Sequence, residues 1–196
     1  MVLADIYGNR TKCELESALK ELLRHKPLDQ IRVRELTELC GIRRQSFYYH
    51  FTDIYELFSW SIQQERTALC RRQEGCLTWQ QALRDLLEHA ERNRAYYQAV
   101  LKNRGRPGLR ELFQAAVSQL LGKTLTYYQR RCGTPPDEAA EQAQLACWET
   151  ILLALLEGWL CGDLEQAPEE VIALMEKVVQ QSTVGAAWQN LPQWRD

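Results

Sequence analysis

The sequence predicts an all-α protein, and three observations lead to that prediction. Apolar residues recur at three- and four-residue spacing in segment after segment. No run alternates strictly between apolar and polar residues with turn residues on both sides, as a half-buried strand would. Glycine and proline clusters interrupt the chain at intervals of helical length. We expect about nine helices, in an N-terminal three-helix domain over residues 1–52 and a helical domain over residues 53–196.

Each helix is predicted from its apolar spacing and its end signals. Residues 1–9 are expected to form a short, loosely ordered arm before the first helix. Asp53-x-x-Glu56 resembles a capping box at the start of the fourth helix, and NRGRPG, residues 103–108, predicts a turn. Residues 75–78 are the predicted linker between the two domains. Outside residues 31–51, helices are expected at about 11–25, 53–72, 79–92, 94–103, 109–132, 134–160 and 168–180.

The most informative segment is IRVRELTELCGIRRQSFYYHF, residues 31–51, which predicts two short helices joined at Gly41. Glycine ends a helix without strain because it adopts the left-handed conformation freely. In the second helix, Phe47 and Phe51 share one face, which we expect to be buried. The apolar face predicted for the first helix consists of Val33, Leu36, Leu39 and Cys40.

The opposite face of the second helix is polar and aromatic. Arginine and glutamine can form bidentate hydrogen bonds with guanine and adenine edges, and tyrosine, serine and histidine can donate to phosphate oxygens. The pattern therefore matches a helix-turn-helix that docks on DNA. An ordinary helical hairpin with two exposed tyrosines is the alternative that the pattern alone leaves open. The candidate DNA-contacting residues are Arg43, Arg44, Gln45, Ser46, Tyr48, Tyr49 and His50.

Charge is distributed unevenly along a chain whose formal net charge is only −2. Residues 10–50 carry nine Lys and Arg against six Asp and Glu, whereas residues 133–196 carry two against eleven. A basic front and an acidic back fit a protein that places only its N-terminal end on phosphate. Chance clustering of charges on solvated helices would give the same asymmetry.

The segment VRELTELCGIRRQSFYYHFTDIYELF resembles the DNA-binding segment of TetR-family transcriptional regulators. Within that family, its sequence is similar to the branch of dihydroxyacetone-kinase operon regulators. The resemblance covers about residues 10–60. Many members have a lysine where this chain has Ile54, which removes one implied phosphate contact, and Arg43 is a candidate to replace it. The resemblance implies base and neighbouring phosphate contacts for Arg44, Gln45 and Ser46, and mostly phosphate contacts for Tyr48, Tyr49 and His50.

The last two long helices carry apolar residues at three- and four-residue spacing. Such stripes fit the core of a monomer, or a dimer interface in which two helices from each chain form a four-helix bundle. We favour the dimer because the resemblance implies it and because two DNA-binding domains, one from each chain, suit an operator with two-fold symmetry. The candidate interface residues are Trp148, Ile151, Leu152, Leu155, Trp159, Val171, Leu174 and Val178.

An effector site is predicted in the C-terminal domain, where aromatic walls combine with a few polar groups. Ordinary core and surface aromatic residues would give the same pattern. The resemblance implies a small-molecule effector or, in the branch named above, a partner protein resembling a kinase subunit. The candidate residues are Trp60, Arg94, Tyr96, Tyr97 and Trp148.

Catalysis is not expected. The three histidines are not accompanied by a nucleophile or an acid in any motif. A glycine-rich phosphate loop and metal-ligand spacing are absent from the sequence, so no cofactor or metal is expected. Seven cysteines without C-x-x-C spacing suggest a reducing cytosol. With no signal-peptide pattern, and with a longest apolar run (residues 151–156) too short to span a bilayer, we expect a cytoplasmic protein with no membrane partner.

The sequence therefore predicts a homodimeric transcriptional regulator that binds double-stranded DNA at a two-fold operator and is switched by an effector. The alternative is a helical adaptor that acts through a partner protein and has lost sequence-specific DNA binding.

Overall fold

A computed structural model describes residues 2–74, 76, 78–132 and 138–188 of the chain, and in these ranges every long element is an α-helix. One short 3-10 helix, Leu28–Gln30, lies between the first two helices. The all-α fold class is confirmed. The helices are α1 Val2–Leu23, α2 Val33–Cys40, α3 Arg44–His50, α4 Ile54–Arg72, α5 Trp79–Arg92, α6 Arg94–Cys132, α7 Glu138–Cys161 and α8 Pro168–Trp188.

By the packing of their Cα atoms, the helices form two compact units. Unit 1 comprises Met1–Ala68 and Arg92–Leu112, and unit 2 comprises Leu69–Glu91 and Phe113–Asp196. These units group residues by proximity, whereas the predicted boundary at residues 52 and 53 separates functions. That boundary stays a prediction.

Unit 1 has a core built from leucine and aromatic side chains of α1 to α4 and of the first part of α6. Six of them are at most 2% exposed: Leu15, Leu19, Leu36, Phe47, Phe58 and Tyr97. Burial of such side chains stabilises a fold by roughly 1.5–3 kcal/mol each. The short helices α2 and α3 depend on this core, because helices of eight and seven residues are marginal alone.

Unit 2 is built from the end of α4, from α5, from the second part of α6, and from α7 and α8. The first apolar stripe of the unit, Leu83, Leu86, Leu87 and Ala90, is buried as the spacing predicts. Part of α7, Glu141–Cys161, is by length and composition apolar enough to cross a membrane, but core helices of soluble proteins pass the same test and 44% of its most apolar window is buried. The sequence prediction considered only uninterrupted apolar runs and did not anticipate this segment.

Several helix bounds differ from the prediction. Helix α1 begins at Val2, so residues 2–9 are helical rather than a loosely ordered arm. Helix α8 continues to Trp188, eight residues beyond its expected end. The predicted break at residues 103–108 is present at Gly105, whose φ of 67° and ψ of −176° are not helical, and the helices on its two sides together make up α6. The predicted linker residues 75 and 77 and the predicted proline opening of the next helix lie outside the described residues.

Candidate nucleic-acid interface

The turn between α2 and α3 fixes the position of α3. Gly41 adopts the left-handed conformation, with φ 64° and ψ 28°, which non-glycine residues reach only with strain. Its amide donates to the carbonyl of Glu38 at 3.2 Å, and the Ile42 amide donates to the carbonyl of Thr37 at 3.0 Å. These two bonds satisfy carbonyls at the end of α2 and direct the chain into α3.

Two phenylalanines anchor α3 to unit 1. Phe47 is fully buried and Phe51 is 3% exposed, as the four-residue spacing predicts. The Phe51 ring lies 5.8 Å from the ring of Trp60 on α4, measured between centroids. The Lys12 ammonium of α1 lies 5.6 Å from the Phe51 ring centroid and 5.9 Å from that of Trp60. One face of α3 is therefore held by both α1 and α4.

The opposite face of α3 is exposed. Tyr48 is 58% exposed and Tyr49 is 85% exposed, although buried tyrosine rings stabilise a core well. Arg43 and Arg44 are exposed, and within the described part of the chain neither forms an ion pair. The remaining candidates are exposed Gln45 and half-buried Ser46 and His50. The structure thus presents all seven predicted side chains on or beside one surface, and their contact with DNA stays a prediction.

His50 differs from its neighbours on this surface in its ring contact and in its electrostatic surroundings. Its ring lies edge-on to the Tyr49 ring at 5.0 Å between centroids. Partial burial, together with the charge of Lys12, lowers the pKa of His50 below its ordinary value. The imidazole is therefore neutral near pH 7 and offers one N–H donor.

A cleft of about 590 Å³ adjoins α3 within unit 1. Arg44 and Tyr48 of α3 line it together with residues 31–35 and 52–55. Sequence reasoning missed three of its exposed side chains: Arg32 and Arg34 at the start of α2, and Tyr55 at the start of α4. The sequence could have indicated Arg32 and Arg34, because two arginines flank the start of an amphipathic helix. It could have indicated Tyr55, because an aromatic residue follows Ile54 directly.

The start of α4 forms one wall of this cleft and is strongly capped. The Asp53 carboxylate accepts a hydrogen bond from the Glu56 amide at 2.8 Å, as predicted. The Glu56 carboxylate accepts from the amide and the hydroxyl of Thr52, at 2.6 and 2.7 Å. These bonds lower the pKa of Glu56, with the amide bond the largest cause. Ile54 begins the helix without adding a charged side chain there.

Four of the five predicted effector residues lie in unit 1 and the fifth, Trp148, lies in unit 2. Tyr96 and Tyr97 are almost completely buried, and both of their hydroxyls have protein partners. Tyr96 lies 3.0 Å from the Ser61 hydroxyl, oxygen to oxygen, and Tyr97 donates to Glu65 at 2.7 Å. Burial raises the pKa of Tyr96 far above its ordinary value.

The predicted interface residues fall into two groups within unit 2. Ile151 is 36% exposed and Leu174 is 44% exposed, while Leu155 and Val178 are half-buried. The others are buried inside the protomer: Trp148, Leu152, Trp159 and Val171. The exposed members are therefore the ones available to a partner chain. In the residues described, no group of three or more His, Cys, Asp and Glu side chains is arranged to hold a metal.

Residues 77–181 match the TetR_C_8 family model, described as a transcriptional regulator C-terminal region. The dhaKLM operon transcriptional activator DhaS of Lactococcus lactis is 30% identical over 86 residues, which cover 44% of this chain and 46% of that protein. The matched segment thus spans about half the length of this curated relative.

Solved structures share the fold. A dihydroxyacetone kinase operon activator DhaS superposes with a TM-score of 0.69 at 20% identity, covering 89% of this chain and 95% of that one. A TetR-family regulator from Streptomyces coelicolor gives a TM-score of 0.64 at 16% identity, covering 92% and 83%. The family match covers more than half of the chain, and its relatives are transcriptional regulators. This chain belongs to the TetR family of transcriptional regulators and is related to its DhaS branch.

Proposed function

We propose that this regulator binds double-stranded DNA through α3, with residues 1–52 as the reading domain. The observation that carries the proposal is the solvent-facing surface of α3, where Arg43, Arg44 and Gln45 are exposed beside two exposed tyrosines. Arg44 and Gln45 supply the donors and acceptors that read base edges in the major groove. Arg43, the tyrosine hydroxyls, Ser46 and His50 bind phosphate and set the register.

The cleft beside α3 supports the same proposal. Arg32 and Arg34 add guanidinium donors at the start of α2, among the carboxylates of Asp29, Glu35 and Asp53 that also line the cleft. Tyr55 places a hydroxyl near the position where the family often has a lysine. The two arginines and Tyr55 border Arg44 and Tyr48 in one cleft. A DNA backbone that follows this cleft would meet donors from α2, α3 and α4. Tyr55 is thus a second candidate, after Arg43, to replace the contact that Ile54 cannot make.

The proposed regulator is a homodimer that binds a two-fold operator. Ile151 on α7 and Leu174 on α8 are large apolar side chains exposed on the two helices that pack together in unit 2. An isologous interface centred on these helices would bury them and would place two reading heads about one two-fold axis. Residues 53–196 then serve dimerisation and effector binding.

An effector, a small molecule or a protein, switches the proposed dimer by a population shift. The effector changes the affinity for DNA only to the extent that it binds one arrangement of the two DNA-binding domains more tightly than another arrangement. Helix α4 is the proposed lever, because within unit 1 it contacts α3 through Trp60 and bonds to α6 through Glu65 and Tyr97.

The proposal is tested by selecting bound duplexes from random DNA with the purified protein at near-physiological salt. We expect a two-fold-symmetric sequence, bound with an affinity that falls steeply as salt rises, because phosphate contacts release counterions. Enrichment of a sequence without symmetry would contradict the dimeric reading.

The adaptor function remains a second candidate because α4 begins with Ile54 rather than a cation. It predicts that a folded, dimeric protein enriches no sequence. Repeating the selection with cell extract separates the two functions. Enrichment in extract alone would mean that DNA binding requires an effector or a partner, and continued absence of enrichment would favour the adaptor.

A further inference from the structure

Helix α7 carries two buried hydrogen-bond donors that have no acceptor among the described residues. They are Nε1 of Trp148 and Nε2 of Gln144. Trp148 is fully buried, and the two residues are four apart, so both side chains project from the same face of α7 within about 6 Å of each other at Cβ. Buried indole N–H groups ordinarily have a partner, so this pair requires an explanation.

The same helix shows how a buried indole is normally satisfied. Trp159 is 4% exposed, and its Nε1 donates to the carbonyl of Gln166 at 3.1 Å. An apolar side chain of similar size at position 144 or 148 would avoid the cost of an unpaired donor. Keeping two such donors one helical turn apart is therefore consistent with an acceptor outside the described residues, and both a bound molecule and a buried water supply such an acceptor.

Contacts with α6 locate this pair within unit 2. Glu149, the neighbour of Trp148, accepts hydrogen bonds from Gln114 at 2.5 Å and from the Ser118 hydroxyl at 2.6 Å. From another side, Gln73 donates to the carbonyl of Ala116 at 2.9 Å. The Oε1 atom of Gln73 is the third buried polar atom without a partner. Gln114 and Ser118 are exposed on α6 whereas Ala116 is buried, so Glu149 and Gln73 contact α6 on different sides.

The local charge limits the chemistry of the missing acceptor. Helix α7 contains four glutamates and neither lysine nor arginine, and one glutamate directly follows Trp148. A neutral oxygen can accept from both donors without repulsion from the α7 carboxylates.

We propose that Trp148 and Gln144 bind a small uncharged molecule through a carbonyl or hydroxyl oxygen, and that this is the effector site of unit 2. The role of this site in switching the regulator rests on the proposed function, whereas the binding of a small molecule to it does not. Of the five effector residues predicted from the sequence it retains Trp148, and it adds Gln144.

The test is a ¹H–¹⁵N spectrum of the full-length protein, in which each of the six tryptophans gives one indole signal. Trp148→Phe assigns the signal of interest. Hydroxyacetone and N-methylacetamide are the neutral probes, and acetate is the anionic control of similar size. We expect the Trp148 signal to move downfield and saturate with at least one neutral probe, with a dissociation constant on the order of millimolar for so small a ligand.

Two controls make the result decisive. The Trp159 indole already has an acceptor, so its signal should not move. Gln144→Met, which keeps the side-chain size and removes the second donor, should weaken probe binding about tenfold or more while the protein stays folded. Equal shifts with acetate, no saturable shift, or a Trp148 indole proton that keeps its contact with bound water at saturating probe would each overturn the site.

The measurement uses no DNA, so it separates the two proposals. A protein that shows the shift and binds no operator would contradict the proposed function and would leave the binding site in place. A protein that binds its operator and shows no shift would contradict the site alone.

Discussion

The exposed arginines of α3 differ from most surface arginines of unit 1 in their electrostatic surroundings. Arg34 on α2 pairs with Glu38 at 2.6 Å, and Arg66 on α4 pairs with Glu111 at 3.1 Å. Within the described residues, Arg43 and Arg44 have no such partner. An unpaired guanidinium retains its full capacity for a guanine edge or a phosphate, so the proposed contact of α3 with DNA would not require an ion pair to break first.

We therefore predict that Arg44→Ala weakens binding to the selected operator by about 1–3 kcal/mol and relaxes the preference at the base pair it reads. Fluorescence anisotropy with the operator and with single-base variants measures both effects. Arg66→Ala is the matched control, because it removes an equal charge from unit 1 outside the reading helix. If the two variants weakened binding equally at every sequence, Arg44 would be a general phosphate contact.

At the scale of elements, a buried polar network joins three helices of unit 1. The Lys20 ammonium of α1 lies 2.6 Å from the Glu65 carboxylate of α4, and the side chain of Glu65 is only 2% exposed. Tyr97 of α6 donates to the same carboxylate. Burial opposes the charged form of Lys20, but Glu65 and Glu16 outweigh it, and the pKa of Lys20 is raised. The network therefore favours the charged form of Lys20 and fixes α4 between α1 and α6.

Removing one partner of this pair should be costly. Lys20→Met leaves a buried carboxylate without its cation, and we expect a loss of about 3 kcal/mol in the free energy of unfolding, measured by urea denaturation near pH 7. The double variant Lys20→Met with Glu65→Gln removes the charge as well and keeps an acceptor for Tyr97. The free energy of unfolding lost in the double variant should be at least 1 kcal/mol smaller than the sum of the losses in Lys20→Met and Glu65→Gln measured singly. Strict additivity would show that the two side chains are energetically independent.

The kink of α6 gives a second prediction at this scale. At Gly105 the φ angle is +67°, a conformation that alanine adopts only with strain, so Gly105→Ala should destabilise the protein by about 1–3 kcal/mol. Gly122 lies on the same helix in helical geometry, and an added Cβ there meets nothing within 4 Å. Gly122→Ala should therefore stabilise by about 0.5–1 kcal/mol. Chemical denaturation of both variants checks the opposite signs.

The same elements show what sequence reasoning can and cannot reach. Helix α5 was predicted with its observed bounds, because Thr78 caps it through a bond to the Gln81 amide and its apolar stripe is regular. The exposed surface of α3 was also predicted, since a seven-residue helix has only one side to bury. These features depend on neighbours in sequence, which periodicity and capping rules describe.

Features that depend on distant neighbours were missed. Leu39 was predicted on the apolar face of α2 but is 57% exposed, and Thr37 is buried instead, with its hydroxyl donating to carbonyls of its own helix. These two positions lie about 160° apart around the helix axis, and apolar spacing alone does not fix the rotation of an eight-residue helix well enough to decide which of them is buried. The Lys20–Glu65 pair joins residues 45 apart, and the unpaired donors of α7 appear only once the core is packed.

At the scale of the whole molecule, the proposed dimer depends on which apolar residues the protomer leaves exposed. A stable interface buries about 800 Å² on each partner, and its centre needs large apolar side chains. Trp148 and Trp159 are already buried within the protomer, so they can support an interface but cannot form its surface. Ile151 and Leu174 are the large apolar side chains that α7 and α8 expose among the described residues.

We predict that Ile151→Arg combined with Leu174→Arg converts the dimer into a folded monomer, because both changes are at exposed positions and each places a charge in an apolar contact. Sedimentation velocity measures the change in mass, and circular dichroism checks that the helices remain. Leu39→Arg is the matched control: Leu39 is more exposed than either residue but lies on α2, so the protein should stay dimeric.

The monomer would have one DNA-binding domain instead of two. Its operator binding should be weaker by about 10²-fold or more, because two linked domains bind with a high effective concentration. A double variant that stays dimeric would exclude this face of α7 and α8 as the interface, whereas a monomer that kept the full operator affinity would show that the operator does not need two heads.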